Sequence, residues 1–179
     1  MAASDEELVS RFRAGDDLAF VRLYNRYKRP LLGFCLSFLP HAAAEDVVQE
    51  TFLRLFKRRA RLDPGSFRAT LFVTARNLCL NALRGRNRVE SMVNEEPQIG
   101  ETENPDRAVE ARDLLLRLTQ GLTREERELL LLRELGGLSY EDLATLLAKS
   151  PGALRVQMFR IRQKLHSALR RLESEEKQR

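Results

Sequence analysis

LTREERELLLLRELGGLSYEDLATLLAKSPGALRVQMFRIRQKL, residues 122–165, places a capped helix, a short turn and a second capped helix in immediate succession. Ser139 can cap a helix over Tyr140–Leu147, because its hydroxyl accepts a first-turn N–H that has no partner within the helix. Asp142, three residues on, can return a bond to the Ser139 N–H, an acidic variant of the capping box. Ser150 then caps a second helix, with Pro151 at its first position, where no helical donor is lost. Upstream, Thr123 and Glu126 form a strict capping box, and Gly136 and Gly137 end the helix it opens. Extended to residue 172, the stretch reads as a bundle of three or four helices.

Between the caps, Leu143, Leu146 and Leu147 form an apolar stripe, and Ala144 is small enough for a second helix to cross closely. Leu154, Met158 and Ile161 supply the matching stripe at helical spacing, so the opposite face carries Arg155, Gln157, Arg160 and Arg162, with Lys164 further on. The tight turn at Ala148 and Lys149 makes the pair a helix-turn-helix. In such a motif the second helix faces the major groove, where Arg reads guanine, Gln reads adenine and every cation can hold phosphate. The plainer alternative is a helical hairpin with a solvated basic face.

Charge divides the rest of the chain. Residues 1–88 hold 16 Lys and Arg against 9 Asp and Glu; residues 89–111 hold one Arg against 7 acids; residues 112–179 hold 14 against 10. Two basic modules are therefore joined by an acidic connector, VESMVNEEPQIGETENPDRAVEA, which lacks periodicity, contains Pro97, Gly100 and Pro105, and is expected to be a flexible linker. An apolar fraction of 43% is ample for burial in both modules. No stretch approaches the ~18 apolar residues of a membrane span, and residues 1–7 are acidic without an apolar signal core, so the chain is expected in the cytoplasm without membrane insertion. Cys35 and Cys79 fall within apolar helical patterns and read as core filling; with two distant His residues they complete no metal spacing. No Gly-rich phosphate loop and no nucleophile with a paired base is present, which argues against a hydrolase or transferase and leaves no cofactor or metal expected.

In the first module, Ser4 and Glu7 make a capping box for a helix ending near Gly15, and Asp16 or Asp17 starts the next. Phe20, Leu23, Tyr24, Tyr27, Leu31, Phe34, Cys35 and Phe38 recur at threes and fours up to Pro40, a long amphipathic helix with a bend expected at Pro30. This aromatic stripe is read as core. A third helix is expected over 43–61, with Val48, Phe52, Leu55 and Phe56 inside. Its other side groups Asp46, Gln49, Glu50 and Leu53 at offsets of zero, three, four and seven, a face suited to docking a protein because its carboxylates repel phosphate. After Leu62-Asp63-Pro64-Gly65, a fourth helix over 66–86 buries Phe67, Leu71, Phe72, Ala75, Leu78, Cys79 and Ala82. Asn77, Asn81, Arg84 and Arg88 share one polar stripe flanked by Arg76 and Arg86. Amides that bond bases, alternating with guanidinium groups that hold phosphates, suit nucleic acid.

Three segments in order, AEDVVQETFLRLFK (44–57), FRATLFVTARNLCLNALRGRNR (67–88) and residues 122–165, resemble the bacterial extracytoplasmic-function (ECF, group 4) sigma factors of the sigma-70 family. The resemblance implies an all-α chain of two small helical bundles joined by the acidic linker. Residues 1–88 would be a region 2-like domain, 89–111 the linker, 112–172 a region 4-like helix-turn-helix domain and 173–179 a charged tail. It implies a non-catalytic subunit that binds core RNA polymerase and directs initiation at promoters. Asp46, Gln49, Glu50 and Leu53 would dock on the clamp coiled coil of the largest subunit, with the flap as a second polymerase contact. The turn at 62–66 with Arg76, Asn77, Asn81, Arg84 and Arg88 would capture the opened −10 element as flipped single-stranded bases, coupling reading to melting. Ser150, Gly152, Arg155, Val156, Gln157, Arg160 and Arg162 would read the −35 element as duplex. The linker would thread the polymerase's cation-lined channels as a nucleic-acid mimic. Control by an anti-sigma factor that clamps both modules is also implied.

The chain departs from the family pattern at Thr70, where Trp is frequent, and at Asn81, where Asp is common. In the reading helix Ala153, Val156 and Gln157 replace Thr, Ser and Arg; Lys149 stands where an apolar residue is frequent and Ala148 where Gly is common. Val156 cannot make the hydrogen bond a hydroxyl would, so the promoter sequence is expected to differ from that of relatives. Two other functions fit parts of the pattern. A stand-alone helix-turn-helix regulator would need tight duplex affinity, usually as a dimer, and no heptad run supports one. A sigma mimic that sequesters an anti-sigma factor would not need both basic stripes intact.

Overall fold

The computed structural model describes residues 3–89, 119 and 121–176, the side chains at 86–89, 175 and 176 excepted. The linker expected at 89–111 lies outside the described residues apart from the backbone of Val89, as do residues 177–179 of the tail. Among the described residues the chain is all helical: α1 (Asp5–Arg13), α2 (Asp17–Leu36), α3 (His41–Lys57), α4 (Phe67–Val89), α5 (Arg124–Glu134), α6 (Tyr140–Leu147) and α7 (Pro151–Glu176), with short 3-10 turns at Arg59–Arg61 and Pro64–Ser66. Helices α1–α4 belong to one compact unit and α5–α7 to another.

In the first unit the local signals set each helix start. Ser4 Oγ accepts the Glu7 N–H at 3.1 Å, while the Glu7 carboxylate does not close the expected box. Asp16 caps α2 through the Ala19 N–H and is anchored by Arg11, whose hydrogen bond holds the Asp16 carboxyl below its ordinary range. Gly15, at φ 106°, makes the turn between them, a conformation that favours glycine. Asp5, in the first turn of α1, bonds Arg26 and the Tyr27 hydroxyl of α2; burial first, then this carboxylate, pushes the Tyr27 phenol above its ordinary range. Helix α2 is continuous through Pro30, although position 30 donates nothing to the carbonyl of Arg26.

The core closes where the apolar stripes of the four helices meet. Leu8 and Phe12 of α1, Leu23, Leu31 and Phe34 of α2, Leu55 of α3 and Phe67, Leu71 and Phe72 of α4 are buried to within 2%. Phe34 meets Phe72 edge-on at 5.5 Å between ring centres. Each such ring removes enough apolar surface from water to contribute ~2–3 kcal/mol. Cys35 of α2 and Cys79 of α4 are free thiols with no exposed surface; their mutual hydrogen bond, then burial, pushes the Cys35 thiol far up, as fits inert core filling.

Two boundaries differ from the sequence reading. Helix α3 begins at His41, directly after Pro40, and stops at Lys57 where 61 was expected. Beyond it the backbone tightens into i→i+3 bonds, Arg61 N–H to Arg58 O at 2.8 Å and Leu62 N–H to Arg59 O at 3.2 Å, which turns Leu62 into the core. Phe56, placed inside by its spacing, is 39% exposed. Helix α4 begins one residue later than expected, after the 3-10 turn that Pro64 opens, and extends to Val89.

The second unit follows its caps closely. Thr123 and Glu126 bond reciprocally at 3.2 and 2.9 Å, and Ser139 and Asp142 do so at 3.0 and 3.0 Å. Gly137, at φ 69°, sits midway along the α5–α6 connection, and the Arg133 guanidinium donates to the Leu138 carbonyl. Leu129 and Leu132 of α5, Leu143 of α6, and Leu154, Met158 and Ile161 of α7 form the interior. Leu146 and Leu147 are half-buried.

Candidate functional site

Three surfaces gather the residues singled out in the sequence. On α3, Asp46, Gln49 and Leu53 are exposed along one face and Glu50 is half-buried, its carboxylate accepting from Arg54 at 2.6 Å. Leu53 is 53% exposed. It borders an open apolar groove of about 290 Å³ lined by Phe20, Tyr24, Gln49, Phe52, Leu53 and Phe56. Inside the groove the rings pack on edge: Tyr24 to Phe52 at 4.8 Å and Phe20 to Phe56 at 5.2 Å. Sequence reasoning assigned Phe20, Tyr24 and Phe56 wholly to the core, whereas Phe20 and Tyr24 are only half-buried. Hydrophobic periodicity marks a face as apolar but does not say whether another helix of the same chain covers it.

On α4, Asn77, Asn81 and Arg84 are exposed on one side, opposite buried Leu71, Ala75 and Cys79. Arg76 is half-buried at the edge of this stripe. The Arg88 side chain lies outside the described residues, although its backbone continues α4. Thr70, two turns N-terminal to Asn77, is exposed, and its carbonyl accepts the Thr74 hydroxyl at 2.7 Å.

On the helix-turn-helix, Ala148 ends α6 in the left-handed region at φ 52° and ψ 44°, a conformation that costs a residue with a Cβ about 1–2 kcal/mol. This sharp reversal lets Ser150 accept the Ala153 N–H at 3.2 Å and start α7 at once. With Leu154, Met158 and Ile161 turned inward, the first four turns of α7 present Gly152, Val156, Phe159 and Gln163 outward, flanked by Arg155 and Arg160. Val156 is 52% and Phe159 62% exposed. Phe159 was missed in the sequence because an aromatic beside a core stripe is ordinarily read as part of it. Gln157 is half-buried beside the turn, its amide oxygen 3.4 Å from the Lys149 ammonium. Arg162 is exposed and reaches Glu134.

Two family models match the chain, "Sigma-70 region 2" over residues 23–89 and "Sigma-70, region 4" over residues 112–165. The chain belongs to the sigma-70 family. It is 33% identical to the RNA polymerase sigma factor CarQ of Myxococcus xanthus, over 93% of this chain and 98% of that one. It is 29% identical to the ECF RNA polymerase sigma-E factor of Escherichia coli K12, over 94% and 96% of the two chains. Among solved structures, CnrH in complex with the cytosolic domain of CnrY aligns with a TM-score of 0.61 at 25% identity, covering 93% of this chain and 97% of that one. The sigma factor RpoE in complex with the anti-sigma factor NepR from Bartonella quintana aligns with a TM-score of 0.62 at 25% identity, covering 84% and 96%. The protein is thus an ECF sigma factor, a subunit of RNA polymerase that directs initiation at promoters. None of its described helices is long and apolar enough to cross a membrane.

Proposed function

We propose that this sigma factor divides its work among the three surfaces. The groove between α2 and α3 docks core polymerase on the clamp coiled coil of the largest subunit. Asp46, Gln49, Glu50 and Leu53 form its contact face, and Phe20, Tyr24 and Phe56 its apolar floor. The exposed Leu53 beside an unfilled aromatic groove carries this reading, since apolar surface of that kind marks a protein partner. Asn77, Asn81, Arg84, Arg76 and Arg88 hold the opened −10 strand, with the turn at 62–66 taking a flipped base.

Helix α7 enters the major groove of the −35 element through Ser150, Gly152, Arg155, Val156, Gln157, Arg160 and Arg162. Phe159 and Val156 offer apolar contacts suited to thymine methyl groups. The family matches over residues 23–89 and 112–165 support a division into 1–88, 89–111, 112–172 and 173–179. Matches to regions 2 and 4 support a place in group 4 and a non-catalytic role in the cytoplasm. The flap is proposed as a second polymerase contact, and the acidic linker as the segment that threads the polymerase channels. The two solved neighbours, each held in a complex, support regulation by an anti-sigma factor that covers the docking groove.

Titrating labelled protein with core polymerase tests the docking face. The pair Asp46→Lys and Glu50→Lys, and separately Leu53→Asp, are expected to weaken binding at least about tenfold while helix content by circular dichroism is unchanged. Unaltered affinity in both variants would contradict the assignment.

A further inference from the structure

Four cations of the reading module are already paired with carboxylates. Arg155 of α7 pairs with Glu141 of α6 at 3.0 Å, Arg162 with Glu134 of α5 at 3.1 Å, Lys164 with Glu126 at 2.7 Å, and Lys149 of the turn with Glu125 at 3.1 Å. Among the described residues Arg160 has no carboxylate partner. Exposed ion pairs of this kind add little to stability. Their placement also argues against a purely structural role. Glu134 ends α5, where the helix dipole disfavours a carboxylate. Arg155 needs no carboxylate to be held, because the Tyr140 ring lies 5.1 Å from its guanidinium carbon and is itself stacked by Arg133 at 4.8 Å. What Glu141 and Glu134 do supply is negative charge beside two guanidinium groups of α7, Arg155 and Arg162.

From this we infer that Glu141 and Glu134 are specificity-determining residues of the DNA reader, acting through Arg155 and Arg162. The inference rests on α7 being the duplex-reading helix. Non-specific binding to duplex is almost wholly an exchange of condensed counterions for protein cations, so a cation neutralised within the protein releases few. Base-edge contacts by Val156, Phe159 and Arg160 are not reduced in the same way. The two carboxylates therefore suppress binding to arbitrary duplex while leaving readout of the correct one, and they keep the free protein off DNA. On polymerase the docked subunit is held beside the promoter, and high effective concentration replaces the missing electrostatic affinity.

The test is fluorescence anisotropy of the full chain with a labelled duplex of mixed sequence, about two helical turns long, across a salt series. Glu141→Gln with Glu134→Gln is expected to raise affinity about tenfold at low salt and to steepen the slope of log affinity against log salt by up to ~1.8, about 0.9 for each cation freed. A merely structural role for the glutamates would shift the melting temperature and leave this slope unchanged. Arg155→Ala with Arg162→Ala, measured in parallel, separates the two levels of the claim. If the arginine pair weakens binding while the glutamine pair changes neither affinity nor slope, the reading helix stands and this inference is overturned. If neither pair has any effect, α7 does not contact the duplex and both readings fall.

Discussion

Ala148 shows how much of the reader depends on a single backbone angle. At φ 52° it holds the left-handed conformation that makes the turn between α6 and α7, with its own N–H bonded to the Ala144 carbonyl. A residue with a Cβ pays for that conformation, and glycine does not. Ala148→Gly is therefore expected to stabilise the protein by about 0.5–1 kcal/mol, the relief of strain exceeding the added freedom of the unfolded chain. An upward shift of the thermal midpoint checks this, and a downward shift would mean that the turn is relaxed as it stands. The departure was legible in the sequence, because Ala148 occupies a position where many helix-turn-helix units have Gly. The pairing of Arg155 with Glu141 and of Arg162 with Glu134 was not. Those partners lie 14 and 28 residues apart on different helices, and no local spacing rule joins them.

At the scale of elements, the second unit was read closely from its caps, since a capping box is a contract between residues three apart and needs no tertiary knowledge. Ser139→Ala should cost about 1 kcal/mol at neutral pH. The cost should also depend on pH. Hydrogen bonds from the Ser139 hydroxyl and backbone N–H hold the Asp142 carboxyl below its ordinary range, and the Lys164 bond, first among several causes, does the same for Glu126. Carboxylates with a lowered folded pKa stabilise fully above their unfolded value, near 4, and lose that contribution as pH falls through the folded value. The gap between the thermal melts of wild type and Ser139→Ala should therefore narrow as pH falls, the remainder being the pH-independent bond from the Asp142 N–H to the Ser139 hydroxyl. A constant gap would show that the bond from the Ser139 hydroxyl to the Asp142 carboxylate adds nothing to the cap. Elements of the first unit were harder to bound. Helix α3 stops at Lys57 because Leu62 is drawn into the core, and the stripe of Phe20, Tyr24 and Phe56 looks identical in sequence whether another helix covers it or it lines a groove.

The whole molecule combines two basic units, each with a surface suited to DNA, while the apolar groove that suits a protein lies on the first. Neither DNA surface is strong alone. The amides of Asn77 and Asn81 suit bases that have already left the duplex, and Arg155, Arg162 and Lys164 of α7 are met by carboxylates within the same unit. A reader built in this way gains its selectivity on polymerase, where both elements can be engaged together. The most direct measurement is transcription in vitro from fragmented genomic DNA, with start sites mapped in the presence of core polymerase and this chain. The account predicts starts preceded by two recurrent elements at a fixed spacing. They should require both components and be lost with Asp46→Lys and Glu50→Lys. Starts that persist with that pair, or tight sequence-specific binding of the chain to duplex DNA in the absence of polymerase, would contradict it.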